Sequence, residues 1–137
     1  MQLTPDLDAR LPADTAVIAD ARAMLHGWLA DAGVGDREVV DDLSVVLSEL
    51  VANAVEASPH DGSVVVRTQL EEGTVVLSVV NDVREWVTPA ERWDLDDPLR
   101  PGGRGLLIVS ALADDVTVQH DIEDDCTVVT ARLRVGP

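Results

Sequence analysis

Residues 36–57 of this 137-residue chain read DREVVDDLSVVLSELVANAVEA and form a long apolar-periodic run. Apolar residues recur every three or four positions, which predicts an amphipathic helix starting at Gly35-Asp36 and ending near a turn at residues 58–62. Glu49 and Asn53 lie four residues apart on the flank of the apolar stripe, about a quarter turn from its centre. They are predicted to border the core without being fully solvated. The predicted stripe consists of Val40, Leu43, Val46, Leu47, Leu50 and Ala54.

Further periodic runs flank this helix, separated by turn signals. A preceding helix is predicted, with Asp14 as its cap and Gly33 as its stop. The order of elements predicts an α+β fold, in which a mixed or antiparallel sheet is covered on one face by helices. The other predicted elements are helices at residues 14–32 and 105–113, a hairpin at 64–70 and 74–80, and a second hairpin at 116–120 and 127–135.

Two segments are predicted to lie outside the regular elements. Residues 1–13 contain acidic residues and prolines, and we expect them to form a flexible N-terminal arm. Residues 83–101 contain three prolines and follow no clean period, which predicts a long loop or lid. The 137 residues are therefore expected to form a single domain.

The composition excludes several classes of function. A formal net charge of −16 opposes direct binding to nucleic acid or to anionic lipid. All ten basic residues are Arg, which excludes P-loop and Schiff-base sites that need a lysine. The single cysteine, Cys126, cannot form an internal disulfide, and no run of apolar residues is long enough for a membrane span or signal peptide. We therefore expect a cytoplasmic protein.

Glu49 and Asn53 are the first candidates for chemistry. A carboxylate beside an apolar stripe can act as a general base toward a substrate hydroxyl, although a solvated helix glutamate is the ordinary alternative. An amide at the border of the core is costly unless it is hydrogen-bonded or ligates a cation, and its oxygen suits Mg²⁺. A neighbouring backbone group could also satisfy Asn53.

The second group of candidates follows the first hairpin. Asp82, after a predicted strand, can accept a hydrogen bond from an exocyclic amine such as that of adenine, or can simply form a turn. Gly102, Gly103 and Gly105 surround Arg104 just before the apolar run that begins at Leu106. Such a run permits close approach of a ligand, and the helix that follows offers free N–H groups to a phosphate. A flexible connection is the alternative.

In this order the motifs resemble the GHKL ATP-binding superfamily, which includes gyrase and sensor-histidine-kinase ATPase domains, and most closely its stand-alone anti-sigma-factor serine kinases. The similarity covers residues 16–133. Glu49 matches the catalytic glutamate of that branch, Asn53 its magnesium-binding asparagine, and Asp82 its adenine-binding aspartate. The residues Gly103-Arg104-Gly105-Leu106 match its phosphate loop, which Gly102 precedes.

The resemblance implies a two-layer sandwich of the Bergerat type that binds ATP and Mg²⁺. It also implies phosphorylation of a serine on an anti-anti-sigma protein, sequestration of a sigma factor, and a tendency to form homodimers. Two positions depart from the family pattern: Arg84 stands where a glycine is frequent, and Ala57 where a basic or aromatic residue is frequent. A nucleotide-binding partner-switch module without kinase turnover is therefore the alternative hypothesis, and an acidic adaptor that binds no nucleotide is the third.

Overall fold

The fold is described from a computed structural model that covers residues 6–58, 61–82, 103–121 and 126–135. The predicted lid at residues 83–101 lies outside these described residues. Three helices and five strands are present in the part of the chain described. In chain order they are β1 (Leu7–Pro12), α1 (Val17–Asp31), α2 (Arg37–Ala57), β2 (Ser63–Glu71), β3 (Thr74–Asp82), α3 (Gly103–Leu112), β4 (Asp115–Asp121) and β5 (Cys126–Arg134).

The strands form one five-stranded sheet in the order β1-β2-β3-β5-β4. Every neighbouring pair is antiparallel, which confirms the predicted α+β class. The turn between β2 and β3 has two residues, Glu72 and Gly73, with φ values of 49° and 79°. Two successive positive φ values are typical of the type I′ turn, whose twist matches that of the flanking strands.

Successive side chains of a strand point to opposite faces of the sheet, and one of these faces packs against the helices. Five aliphatic side chains of β2 and β3 are at most 1% exposed there: Val64, Val66, Val75, Leu77 and Val79. The core is almost wholly aliphatic because the chain has no Phe or Tyr. Among the described residues, Trp28 on α1 is the one aromatic side chain in the core. None of the described helices combines the length and apolar character needed to cross a bilayer.

Helix α2 is the centre of the helical layer, packed against α1, α3 and strands β2 and β3. Its first residue follows Asp36, whose side-chain oxygen accepts hydrogen bonds from the backbone N–H groups of Glu38 and Val39 at 3.0 and 3.2 Å. The predicted stripe is confirmed from Leu43 to Ala54, while Val40 is only half-buried.

Helix α1 ends where the sequence predicted. The N–H of Gly33 donates to the carbonyl of Ala30, and the N–H of Val34 donates to the carbonyl of Leu29. This pair of hydrogen bonds is a Schellman motif, and it requires the positive φ of 79° that Gly33 adopts. The chain then turns back along the helical layer into α2.

The predicted flexible arm is wrong for residues 7–12, because they form the edge strand β1. β1 pairs with β2 from Leu7↔Thr68 to Pro12↔Ser63. Leu11 is 9% exposed and belongs to the core, while Asp8 points outward and pairs with Arg67 at 3.3 Å. Edge strands are typically short and often carry charged residues and proline, as β1 does. Such a segment has few apolar residues in alternation, and that alternation is the pattern from which a strand is predicted.

Leu11→Ala tests whether β1 is part of the fold. We expect a loss of about 2 kcal/mol in the free energy of unfolding, because a core side chain at the edge of the sheet is removed. Leu70→Ala is the matched control, since Leu70 is 38% exposed, and it should cost less than about 0.5 kcal/mol. Urea denaturation of both variants makes the comparison; equal and small losses would restore the flexible arm.

Gly33→Ala tests the turn after α1. A Cβ at Gly33 or at Gly35 meets no atom within 4 Å, but only Gly33 has a positive φ. Gly33→Ala should therefore lower the free energy of unfolding by about 1 kcal/mol through backbone strain, whereas Gly35→Ala should be neutral or slightly stabilising. Thermal unfolding of the pair separates conformational strain from steric crowding; a neutral Gly33→Ala would contradict the assigned motif.

Candidate functional site

The topology brings three segments to one end of the two layers. Only residues 58–62 separate the end of α2 from the start of β2, so the last turns of α2 lie where β2 begins. The register Val64↔Asn81 and Asn81↔Thr127 places the end of β3 and the start of β5 at this same end. We call it the site end of the sandwich.

Helix α3 points its first turn toward the site end. Its last residue is Leu112, and the N–H of Asp114 donates to the carbonyl of Arg132 at 2.8 Å, at the opposite end of the sheet. Since α3 packs along α2 and a ten-residue helix is about 15 Å long, Gly103 lies toward the site end. The free backbone N–H groups of a helix start are therefore directed there.

Asn53 is buried on α2 one turn before the helix ends. It is 5% exposed, and its Nδ2 atom has no hydrogen-bond partner among the described residues. Leaving a buried polar group unsatisfied costs about 1–3 kcal/mol, so this amide is a poor choice for stability alone. The alternative interpretation was that a neighbouring backbone group satisfies the Asn53 amide. Among the described residues, no backbone group accepts a hydrogen bond from Nδ2, so this alternative is not supported for the nitrogen.

Glu49 lies one turn before Asn53 and is half-buried. Residues four apart on a helix share a face, so the carboxylate and the amide line the same flank of α2. Helical spacing also puts Asp42 and Glu56 on this flank; Asp42 is half-buried, but Glu56 is exposed. The flank therefore borders the core as predicted up to Asn53 and reaches solvent beyond it.

Two buried polar residues of the sheet were missed by the sequence analysis. Asn81 is 1% exposed and Thr127 is 2% exposed, and they face each other across β3 and β5. The available signal was the alternation Leu77, Val79, Asn81, which continues the helix-facing side of β3 into an amide. Asp82 was chosen instead because it ends the strand; the structure describes its backbone, opposite Cys126, and its role stays a prediction.

The glycine run is only partly described. Gly102 lies outside the described residues, while Gly103, Arg104, Gly105 and Leu106 form the first turn of α3. The helix thus begins two residues earlier than predicted, so this part of the predicted loop is helical. The first turn of a helix has backbone N–H groups without partners inside the helix. A phosphate can therefore accept hydrogen bonds from this turn, as was expected of a loop.

These residues fit a magnesium nucleotide better than a metal held by protein alone. No group of three His, Cys, Asp or Glu side chains able to hold a metal occurs in the described part of the chain. Magnesium at phosphate sites takes one or two protein oxygens and fills its other positions with water and phosphate oxygens. The unpartnered atom of Asn53 is the donor Nδ2, and a half-turn of the amide puts the oxygen that Mg²⁺ requires in its place, one turn from a carboxylate.

The sequence profile of the histidine kinase-like ATPase domain matches residues 11–133. The chain belongs to this family. The match includes α2, the whole of the site end described above, the last two residues of β1 and most of β5. It begins at Leu11, inside the strand that the sequence analysis had assigned to a flexible arm.

Named relatives share modest identity over most of their length. A protein of Listeria innocua called serine-protein kinase RsbW is 26% identical over 123 residues, which span 82% of this chain and 78% of the relative. A protein of the same name from Staphylococcus aureus strain JH9 is 28% identical over 127 residues, or 84% and 79% of the two chains.

Solved structures agree with this assignment. A structure of the RsbU and RsbW domains of a Mycobacterium tuberculosis protein superposes with a TM-score of 0.72 and 28% identity, covering 96% of this chain. This chain spans only 32% of that one. The catalytic domain of the histidine kinase ThkA superposes with a TM-score of 0.59 at 14% identity over 97% of this chain and 99% of that domain, which shows the shared fold.

Asn53→Leu should stabilise the ligand-free protein while damaging the site. Removing an unsatisfied buried amide is expected to raise the free energy of unfolding by about 1 kcal/mol. Thr68→Val is the matched control, because Thr68 is fully buried and its Oγ1 has no partner among the described residues. Both variants should gain stability in chemical denaturation, but only Asn53→Leu should lose any stabilisation by added MgATP. A destabilised Asn53→Leu would show that the amide is already satisfied.

Proposed function

We propose that this protein binds ATP with Mg²⁺ and transfers the γ-phosphoryl group to a serine of a partner protein. The observation that carries the proposal is the buried, incompletely hydrogen-bonded Asn53 one turn after the half-buried Glu49. Membership of the histidine kinase-like ATPase domain family supports ATP as the nucleotide. The relatives named serine-protein kinase support serine as the acceptor.

Each residue has a distinct task in this proposal. Asn53 holds Mg²⁺ through its amide oxygen, and the bound cation supplies positive charge to the phosphate oxygens. The first turn of α3, with Gly103, Arg104, Gly105 and Leu106, donates backbone N–H groups to the phosphates. Gly102, before the described part of that turn, extends the same phosphate-binding run.

Glu49 is the general base of the transfer. It accepts the proton of the partner's serine hydroxyl while the serine oxygen forms its bond to the γ-phosphorus. The bond between that phosphorus and the bridging oxygen breaks, and ADP leaves with the electron pair. A carboxylate that borders the core, instead of projecting fully into water, is held in place for this step by the packing of α2.

The partners we propose are an anti-anti-sigma protein as phosphate acceptor and a sigma factor as the protein sequestered. Both follow from the likeness to the relatives named RsbW and from the anti-sigma branch that the motifs resemble. The net charge of −16 supports protein partners over direct contact with nucleic acid. A cytoplasmic location is part of the proposal, which the proposed partners and ATP support, and a homodimer stays a prediction.

A partner-switch module that binds ATP without transferring phosphate is the second candidate. Ala57, which departs from the family pattern, is half-buried at the end of α2, one turn beyond Asn53. A small apolar side chain there offers no charge or hydrogen bond to a nucleotide. In this candidate ATP changes the affinity for a partner and is not consumed.

Calorimetric titration with MgATP and a phosphoryl-transfer assay distinguish these functions. Asn53→Ala should weaken MgATP binding by at least about tenfold, since a direct ligand is lost. Glu49→Ala should leave the ATP dissociation constant within about threefold but lower transfer to the partner serine by about 10²–10⁴, the usual worth of a general base. Intact-mass spectrometry of the anti-anti-sigma partner measures the transfer.

Glu38→Ala is the matched control, because Glu38 is an exposed glutamate in the first turn of the same helix. It should change neither binding nor transfer. Transfer by Glu49→Ala at the unaltered rate would remove Glu49 as the base. Tight MgATP binding without any phosphoserine would favour the partner-switch module, and absence of binding at millimolar ATP would favour an adaptor.

A further inference from the structure

We infer that the partner protein docks the segment around its acceptor serine on an exposed apolar patch beside Glu49. The patch consists of Val45 on α2 and of Leu107 and Ile108 on α3, which are 41%, 37% and 41% exposed. The segment that fits the patch has an aliphatic residue two positions from the serine and an arginine or lysine four positions from it. This inference rests on the proposed function and names the substrate class of the same site.

The exposure of these aliphatic side chains is the first observation. Among the described residues, five large hydrophobic side chains are at least 36% exposed, and three of them form the patch. The other two, Met24 on α1 and Leu70 on β2, belong to other elements. A single exposed apolar residue needs no explanation, whereas a contiguous group is typical of an interaction surface.

The packing of α3 along α2 makes the patch contiguous. The two helices run in opposite directions, since α2 ends at the site end and α3 starts toward it. Val45 lies about 12 Å along α2 from its start, and Ile108 lies about 6 Å along α3 from its end at Leu112. Leu107 is the next residue, so the three side chains lie within about one helical turn of the same level.

The position of Glu49 decides what covers the patch. In the proposed function Glu49 accepts the proton of the partner's serine, so the partner protein covers the surface around Glu49 during transfer. Toward the site end this surface leads to Asn53 and the nucleotide. In the other direction it leads to Val45, which is one turn before Glu49, about 6 Å away on the same face. The residues beside the serine therefore meet Val45.

The charge around Val45 favours a cationic residue in the docked segment. Asp41 and Asp42 lie one turn before Val45, and Glu49 lies one turn after it. Asp41 is exposed and Asp42 is half-buried. A lysine or arginine of the partner is attracted to this part of α2, whereas an acidic residue is repelled.

The spacing along α2 converts these contacts into positions in the partner's sequence. An α-helix rises about 5.4 Å per turn, and an extended chain advances about 3.3 Å per residue. An extended segment along α2 with its serine at Glu49 therefore has the residue two positions away at Val45 and the residue four positions away near Asp41. Alternate side chains of an extended segment point the same way, so all three face the helix.

The peptide RALASALAR with blocked ends tests the inference on the full chain with MgATP. Its sequence reads the same in both directions, so either orientation along α2 presents leucine and arginine at the inferred positions. The KM for its phosphorylation should be at least about fivefold lower than for RAQASAQAR, which lacks the aliphatic anchors. It should be about two- to fivefold lower than for QALASALAQ, the usual effect of an exposed ion pair. Mass spectrometry of the peptides measures the transfer.

Val45→Gln and Leu107→Gln remove the same apolar contact from the protein. Each should raise the KM for RALASALAR by at least about fivefold and leave kcat and the MgATP dissociation constant unchanged, because the contact is the same in the ground state and the transition state. Met24→Gln is the matched control, since Met24 is 36% exposed on a different helix. It should change none of these quantities. Thermal unfolding confirms that each variant is folded.

Asp41→Asn removes the inferred partner of the cation. This variant should abolish the preference for RALASALAR over QALASALAQ, and the same preference in the unaltered protein should shrink in about 0.5 M salt, which screens exposed charges. Asp20→Asn is the matched control, because Asp20 is an exposed acidic residue of α1. It should leave the preference unchanged.

Three outcomes would overturn the inference while the proposed function stands. One is equal KM values for RALASALAR and RAQASAQAR. Another is a change in MgATP binding, thermal stability or sedimentation in Val45→Gln without a change in KM, which would show that this chain or a second copy covers the patch. The third is phosphorylation of the anti-anti-sigma protein but of neither peptide. Absence of transfer to any of these acceptors would overturn the inference and the proposed function together.

Discussion

The packing of α2 against the sheet is the constraint on which the rest of this structure depends. Leu43, Val46, Leu47 and Leu50 are at most 1% exposed, and burial of each such side chain contributes about 1.5–3 kcal/mol. Rotating the helix by one residue would move this stripe through about 100° and expose it. The directions of Glu49 and Asn53 are therefore fixed by apolar neighbours on the same helix and need no hydrogen bonds of their own.

The same sandwich is apolar along most of its interior and polar at one end. Of the four buried polar residues in the described part of the chain, Asn53, Asn81 and Thr127 belong to the site end, and Thr68 lies elsewhere on β2. A core built for stability alone would place aliphatic residues at all four positions. The concentration of amides and a hydroxyl where three segments converge distinguishes this end from the aliphatic interior, and it is the end to which the proposed function assigns the nucleotide.

The sequence predicted correctly those elements whose apolar pattern or turn residues lie within one continuous segment. It predicted α2, the Gly33 stop, both hairpins and the pairing of Glu49 with Asn53 on one flank, because each depends on spacing within one segment. It missed β1 because six residues with charges and a proline carry little apolar signal. It also missed Asn81 and Thr127, because their meeting depends on the register of strands 46 residues apart in the chain.

The charge of the site end is consistent with a polyanionic ligand despite the acidity of the chain. The sequence has 26 Asp and Glu residues, yet the buried polar groups that meet at this end are neutral, and Glu49 on their border is half-buried. Neutral amides bind a cation or a base without adding repulsion toward phosphates, which carboxylates at the same positions would do. Under the proposed function, these neutral groups leave Glu49 as the carboxylate on their border that accepts the proton of the serine hydroxyl.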